Sequence, residues 1–264
     1  KIVYANNDRL YVPAYNIDAL SVYLGGGSTG TVKLDSLGGT TWTKKKDAAL
    51  ADINHLAETL IQSHARRMLA NRPPYKIDNQ SYSAFAADFE HVETPDQASA
   101  ITDLIADCQS TVPMNRIICG DVGFGKTEVA MRGAFIVSYT GKQVAILAPT
   151  TLLVHQHYRS FTKRFAKTGL TIARLCRLDS VAERKKTVEL LAGGSIDIII
   201  GTHRLLSKDV RFRDLGLLII DEEHRFGVKQ KELIRSRTLS IDQLYLSATP
   251  IPRTMQSGLT GLQS

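Results

Sequence analysis

The sequence predicts an α/β chain built on a parallel sheet with helices covering both faces. Three observations predict it. From about Phe85 onward, apolar runs of strand length alternate with segments of helical period, the pattern of strands buried on both sides. A glycine-rich stretch from Gly120 to Thr127 lies between one such strand and the next helix. Before Phe85 the alternation is missing, and only short β-prone pieces and one long helical pattern are found.

In chain order, Ile2-Val3-Tyr4 reads as a short strand, Asn6-Asn7-Asp8 as a turn, and Leu10-Tyr11-Val12 as a second strand stopped by Pro13. Gly25-Gly26-Gly27-Ser28 reads as a flexible loop. Two short strands and a loop are too little to fold alone. A long helix is predicted from Trp42 to Asn71, with Ala49, Ile53, Leu56, Leu60, Ile61 and His64 as one stripe. Arg72-Pro73-Pro74 ends it. In the third region, strands are predicted at 116–119, 144–148, 171–175, 197–200, 217–220 and 244–246. Helices are predicted at 127–139, 152–165 and 181–191. The expected division is 1–40, 41–80 and 81–264. Ligands of such sheets bind at the carboxyl ends of the strands.

The chain has 264 residues, 43% hydrophobic and 22% charged, enough to bury a sizeable core. A net charge of +7 favours an anionic partner without naming one. Cys108, Cys119 and Cys176 are odd in number and widely spaced, which argues against a disulfide framework and a zinc site and suits a reducing cytoplasm. No apolar run approaches transmembrane length, so no membrane is expected. The chain opens on Lys1 without a signal pattern and reads as a piece of a longer protein.

Gly120-Asp121-Val122-Gly123-Phe124-Gly125-Lys126-Thr127 fits a phosphate-binding loop. Its glycines let main-chain N–H groups turn inward, and the following helix offers its positive end to the same anions. Lys126 can reach the β and γ phosphates of ATP, and the Thr127 hydroxyl can sit on Mg²⁺. About a hundred residues on, Leu217-Leu218-Ile219-Ile220 runs into Asp221-Glu222-Glu223-His224. A carboxylate at the end of a buried strand is placed to hold Mg²⁺, partly through water. Glu222 beside it can orient and deprotonate the attacking water. Glu223 receives no role, and His224 reads as a contact rather than a general base. Lys44-Lys45-Lys46 and Arg184-Lys185-Lys186 read as solvated helix faces.

With both motifs placed, the chain resembles the DExH helicases and translocases of superfamily two, with their RecA-like P-loop lobe. Thr94-Pro95-Asp96-Gln97 resembles the adenine-reading glutamine motif, with Phe89 as a stacking partner. Pro149-Thr150-Thr151-Leu152 resembles motif Ia, Gly201-Thr202-His203-Arg204 a later strand-tracking motif, and Ser247-Ala248-Thr249 motif III. The resemblance implies nucleotide contacts along 120–128 including Glu128, DNA contacts at Thr150, Thr151, Thr202, His203 and Arg204, and coupling of hydrolysis to DNA through Ser247 and Thr249. Such phosphate contacts track a backbone and carry no sequence information.

Longer stretches, "GDVGFGKTEVA", "DEEHRFGVKQKE" and "SATPIPRT" among them, resemble the branch that moves on double-stranded DNA. "YANNDRLYVP", "LGGTTW" and the following helix resemble its transcription-repair coupling members rather than its fork-remodelling RecG members. That resemblance implies the end of an RNA-polymerase-interaction domain (a partial small β-barrel), a linker helix and the first motor lobe. It implies double-stranded DNA and the RNA polymerase β subunit as partners, the repair protein UvrA through regions elsewhere, and a cytoplasmic ATP hydrolase. The expected chain then lacks the second lobe with its arginine finger, a loss worth about 10³ to 10⁵ in rate, so turnover by the piece alone is expected to be weak or nil. Two alternatives stay open: a RecG-like fork-remodelling helicase, and a non-enzymatic scaffold binding polymerase or nucleotide.

Overall fold

A computed structural model describes residues 2–4, 8–13, 40–227, 234 and 241–248. The chain divides into two compact units, Lys1–Gln62 and Ser63–Ser264. In the first, β1 (Ile2–Val3) pairs antiparallel with β2 (Arg9–Leu10), Ile2 opposite Leu10 and Val3 opposite Arg9. The second strand was expected to reach Val12. With Leu10 already opposite Ile2, Tyr11 and Val12 run past the described end of β1, and Tyr11 is 71% exposed. The expected turn residues Asn6 and Asn7 and the loop at Gly25–Ser28 lie outside the described residues.

The long helix is α1 (Thr40–Leu69), two residues ahead of the expected span at each end. Of the expected stripe, Ile61 is exposed, while the side chains of Ala49, Ile53, Leu56, Leu60 and His64 lie outside the description. Near its end Arg67 is buried, its guanidinium donating to the Met114 and Ile241 carbonyls at 3.2 and 2.9 Å.

The second unit carries a six-stranded parallel sheet in the order β3-β8-β7-β4-β6-β5. Its elements are α2 (Asn79–Ala87), α3 (Pro95–Gln109), β3 (Asn115–Cys119), α4 (Lys126–Tyr139), β4 (Gln143–Leu147), α5 (Thr151–Arg164), β5 (Ile172–Leu175), α6 (Val181–Gly193), β6 (Ile198–Gly201), β7 (Leu215–Asp221) and β8 (Asp242–Ser247). Every expected strand and helix of this region is present, with both ends within two residues of the expected ones. α2 and α3 were not anticipated. Both start on capping side chains: Asp78 accepts from the Ser81 N–H, and Thr94 and Gln97 form a reciprocal capping box with Pro95 in the first turn.

The sheet separates two apolar layers, as period-two alternation requires. Val144, Ile146, Ile198, Ile200, Leu217 and Ile219 face one layer, with Phe85, Leu104, Phe135 and Phe161 of α2 to α5. Ala145, Leu147, Ile199, Leu218 and Ile220 face the other, with Leu191 of α6 and Leu205, Val210 and Phe226. Gly201 lets the end of β6 press against its neighbour, since a Cβ there would stand 2.6 Å from the Leu175 carbonyl oxygen.

Two buried polar groups fix the amino ends of the strands. Gln143, 4% exposed, donates to the Leu191 and Ile196 carbonyls and accepts from the Arg213 and Asp214 N–H groups. Asp242 is wholly buried and takes the Arg72 guanidinium at 3.0 Å and the Met114 N–H at 2.5 Å. Burial pushes its carboxyl above the ordinary range, against the pull of Arg72.

Candidate active site

β8 lies between β3 and β7, so three loops leave the sheet side by side at the carboxyl ends. They carry the phosphate loop, the acidic motif and the Ser247-Ala248 segment. Main-chain hydrogen bonds join them: the Gly120 N–H donates to Ser247 O at 3.2 Å, and the Glu222 N–H to Leu246 O at 2.9 Å. Two strand spacings of about 4.8 Å set the first and last loops roughly 10 Å apart.

The phosphate loop closes with the Phe124 N–H on Asp121 O at 3.3 Å. Gly123 and Gly125 hold φ of 90° and 74°, values that side chains rarely adopt. Gly125 is the N-cap of α4. The Lys126 ammonium bridges the Gly120 and Asp121 carbonyls at 2.5 and 2.8 Å. Val122 and Phe124 are 87% and 62% exposed. Thr127 is half-buried in the first turn of α4. Just before the loop, burial pushes the Cys119 thiol up, and nearby Lys126 pulls it part of the way back.

Gln97 leans onto this loop. Its Nε2 donates to Phe124 O at 2.8 Å, while its Oε1 accepts the Thr94 N–H at 2.9 Å. A Cβ on Gly125 would come within 2.2 Å of that Nε2. Phe89 is half-buried, with His91 edge-on at 5.5 Å and the Arg132 and Arg164 guanidiniums about its ring at 6.0 and 5.9 Å. The Glu128 carboxylate is engaged elsewhere. It is buried and takes Arg132 Nε at 2.6 Å and Arg164 Nη2 at 2.8 Å.

Asp221 ends β7 and is buried. Its Oδ2 lies 2.7 Å from His157 Nε2 of α5. Glu222 follows with φ 53° and ψ 53°, among the described residues the one non-glycine at positive φ. Such strain gathers at functional sites. Glu223 and His224 lie in a 3₁₀ turn, Glu223–Arg225, and the His224 side chain lies outside the description. Ser247 is buried at the end of β8. Thr249 lies outside the described residues.

The strand-tracking candidates sit at the carboxyl ends of β4 and β6. Thr150 caps α5, its hydroxyl accepting the Leu153 N–H at 3.3 Å, and Thr151 is the first helical residue. Thr202 is buried and His203 exposed. The Arg204 guanidinium forks onto Asp209 (Nη1 to Oδ1 2.6 Å), which holds that carboxyl below its ordinary value. A cavity of about 180 Å³ is lined by Arg177, Arg184, Thr202, His203 and Arg204. Of the expected solvated run 184–186, Lys185 and Lys186 are exposed, but Arg184 turns in and its Nε is buried.

The donor types present suit a magnesium ion carried by a nucleotide. Mg²⁺ takes oxygen ligands, keeps several waters and needs only one or two protein oxygens besides phosphates. Thr127 and Asp221 supply a hydroxyl and a carboxylate. Among the described residues no group of three His, Cys, Asp or Glu is placed to cage an ion.

Sequence reasoning missed His157 beside Asp221, the hold of Gln97 on the loop, and Arg177 with Arg184 in the basic notch. For His157 the available signal was its position seven residues into the helix behind Thr150. Nothing local marks its pairing with a strand end 64 residues later.

Residues 94–257 match the DEAD/DEAH box helicase family. The chain is similar to the transcription-repair-coupling factor of Haemophilus influenzae, 46% identical over 98% of the chain. It is also similar to that of Escherichia coli (strain K12), 44% identical over 99% of the chain. The chain spans 23% of the length of each. Among solved structures it is similar to RecG bound to a three-way DNA junction, with a TM-score of 0.64 and 35% identity over 78% of this chain and 28% of that one. No helix among the described residues is long and apolar enough to cross a membrane.

Proposed function

This chain belongs to the DEAD/DEAH box helicase family, and from that membership we propose that it is the ATP-binding lobe of a double-stranded DNA translocase that acts on stalled RNA polymerase in DNA repair. The observation that carries the reading is the side-by-side placement of the three loops after β3, β8 and β7, joined by main-chain hydrogen bonds. The similarity to transcription-repair-coupling factors through the N-terminal part of the chain supports the polymerase half of it.

In this proposal the N–H groups of Gly120 to Thr127 hold the phosphates, and Lys126 neutralises the β and γ oxygens. Thr127 and Asp221 hold Mg²⁺, which supplies charge neutralisation when bound. Glu222 orients the attacking water and takes its proton. Gln97 and Phe89 face the base, and Glu128 contributes its place in the first turn of α4. Thr150, Thr151, Thr202, His203 and Arg204 follow the DNA backbone, and Ser247 with Thr249 couples that contact to hydrolysis. The working location is the cytoplasm. In the intact protein the partners are double-stranded DNA, the RNA polymerase β subunit and, through other regions, UvrA.

ATP hydrolysis by the intact protein tests this. Linear double-stranded DNA raises the rate, Lys126→Ala abolishes it, and Glu222→Gln keeps nucleotide binding while losing hydrolysis. A normal rate in Glu222→Gln overturns the base assignment. Capture of the polymerase β subunit through the completed N-terminal domain tests the partner, and no capture removes it. The similarity to the RecG structure favours a second reading, a fork-remodelling helicase. Unwinding of branched DNA without displacement of stalled polymerase would select it.

A further inference from the structure

Asp221 is the carboxylate that the proposed function places on Mg²⁺, and it is not alone. His157 projects from α5, whose only covalent route to β7 is long, yet its Nε2 reaches Asp221 Oδ2 at 2.7 Å with both side chains buried. A carboxylate has no hydrogen to give, so Nε2 carries it. The imidazole is itself held: Phe161, one turn on, meets it edge-on at 6.5 Å and 76°. Phe161 is 1% exposed and fixed in the layer between α5 and the sheet.

We propose that His157 is a positioning residue for Asp221. It occupies Oδ2, fixes the plane of the carboxylate and leaves Oδ1 for the cation that accompanies the nucleotide. Two features of the site call for such a partner. Asp221 ends its strand directly before Glu222, whose backbone is in the left-handed region, so neighbouring main chain on that side is already committed to a sharp turn. A single carboxylate that serves a weakly held, mostly hydrated ion gains most from being pre-oriented, because the ion brings few other protein contacts. Hydrogen-bond partners behind metal-holding groups commonly account for about 10- to 100-fold in metal affinity. The inference rests on the assignment of Asp221 to Mg²⁺. It assigns His157 neither to proton transfer nor to contact with substrate.

The test is equilibrium binding of a fluorescent ADP to the intact protein across a Mg²⁺ titration and in EDTA, with neither DNA nor polymerase present. His157→Leu removes the donor at similar volume, and His157→Gln keeps an N–H near Nε2. The expected result is that Leu raises the Mg²⁺ concentration needed for half-maximal tightening by about tenfold. EDTA binding should stay unchanged and Gln should recover most of the shift. Unchanged Mg²⁺ dependence in Leu overturns the proposal, as do equal losses with and without Mg²⁺ or equal losses in Leu and Gln. If Leu does not fold, His157→Ala is compared with Gln on the same terms. Because no DNA enters the measurement, failure of the translocase reading would leave this result readable. Loss of Mg²⁺ tightening in the unsubstituted protein would instead fault the metal assignment itself.

Discussion

Glu222 stands at φ 53°, a conformation that costs a residue with a side chain about 1–2 kcal/mol. The strain and the proposed catalytic role fall on one residue, which gives an expectation that separates them. Glu222→Ala and Glu222→Gly both lose the carboxylate and its contacts, but only glycine is at ease in the left-handed region. In urea unfolding, Glu222→Gly should be more stable than Glu222→Ala by about 1 kcal/mol, with both inactive in hydrolysis. Equal stabilities would mean the turn relaxes when the side chain is lost. At this scale the sequence was partly legible. Lys126, Asp221 and Glu222, the residues proposed for phosphate, metal and base, stand out because phosphate and metal chemistry restricts residue type at fixed spacing. His157 does not, since its pairing is made by tertiary contact alone. Gln97 was read for its base-facing amide, and the hydrogen bonds it makes to Phe124 O and the Thr94 N–H could not be read from spacing.

Helices α4 and α5 are joined by charge as well as by apolar packing. Glu128 takes one arginine from its own helix and one from its neighbour, and Arg132 is 1% exposed. Removing one partner from a buried ionic pair costs about 3–5 kcal/mol when the other is left uncompensated; here Arg132 keeps Glu93 at 2.6 Å and Arg164 keeps the Phe85 carbonyl at 2.7 Å, which sets the cost at the lower end of that range. Glu128→Ala should therefore lower the urea midpoint strongly, while the folded protein keeps its ADP affinity. A stable variant with weakened ADP binding would return Glu128 to the nucleotide. The sheet strands were legible because they are continuous apolar runs. The helices α2 and α3 were not, because their buried faces are sparse: Phe85 alone in α2, and Ile101, Leu104 and Cys108 in α3. The start of α3 was written in Thr94-Pro95-Asp96-Gln97, residues that serve as cap and as motif together.

In the whole molecule, order in the sheet does what order in the chain cannot. Residues 120, 221 and 247 meet because β8, last of the described strands, inserts between β3 and β7. Alternation of strands and helices predicts a parallel sheet but leaves the order of its strands open, so the meeting of the three loops was implied by resemblance rather than by pattern. The described residues hold one such lobe, and the chain spans 23% of its relatives' length. If hydrolysis needs a second lobe to stabilise the transition state, the 264-residue chain should bind nucleotide yet turn it over about 10³-fold or more slowly than the intact protein. DNA should not rescue it. A steady-state phosphate-release assay checks this, and DNA-stimulated turnover at the intact rate would refute it.

Gln143 sits at the amino end of β4, the opposite end of the strands from the loops. If the lobe serves a motor as proposed, it must pass force through its strands, and parallel strands can fail in two ways: peeling apart one bond at a time, or sliding with many bonds strained together. By tying the end of α6 and the connections before β6 and β7 to the root of β4, Gln143 would hold that end against peeling. Under such a load the central strands would then resist in shear, where their hydrogen bonds share the strain.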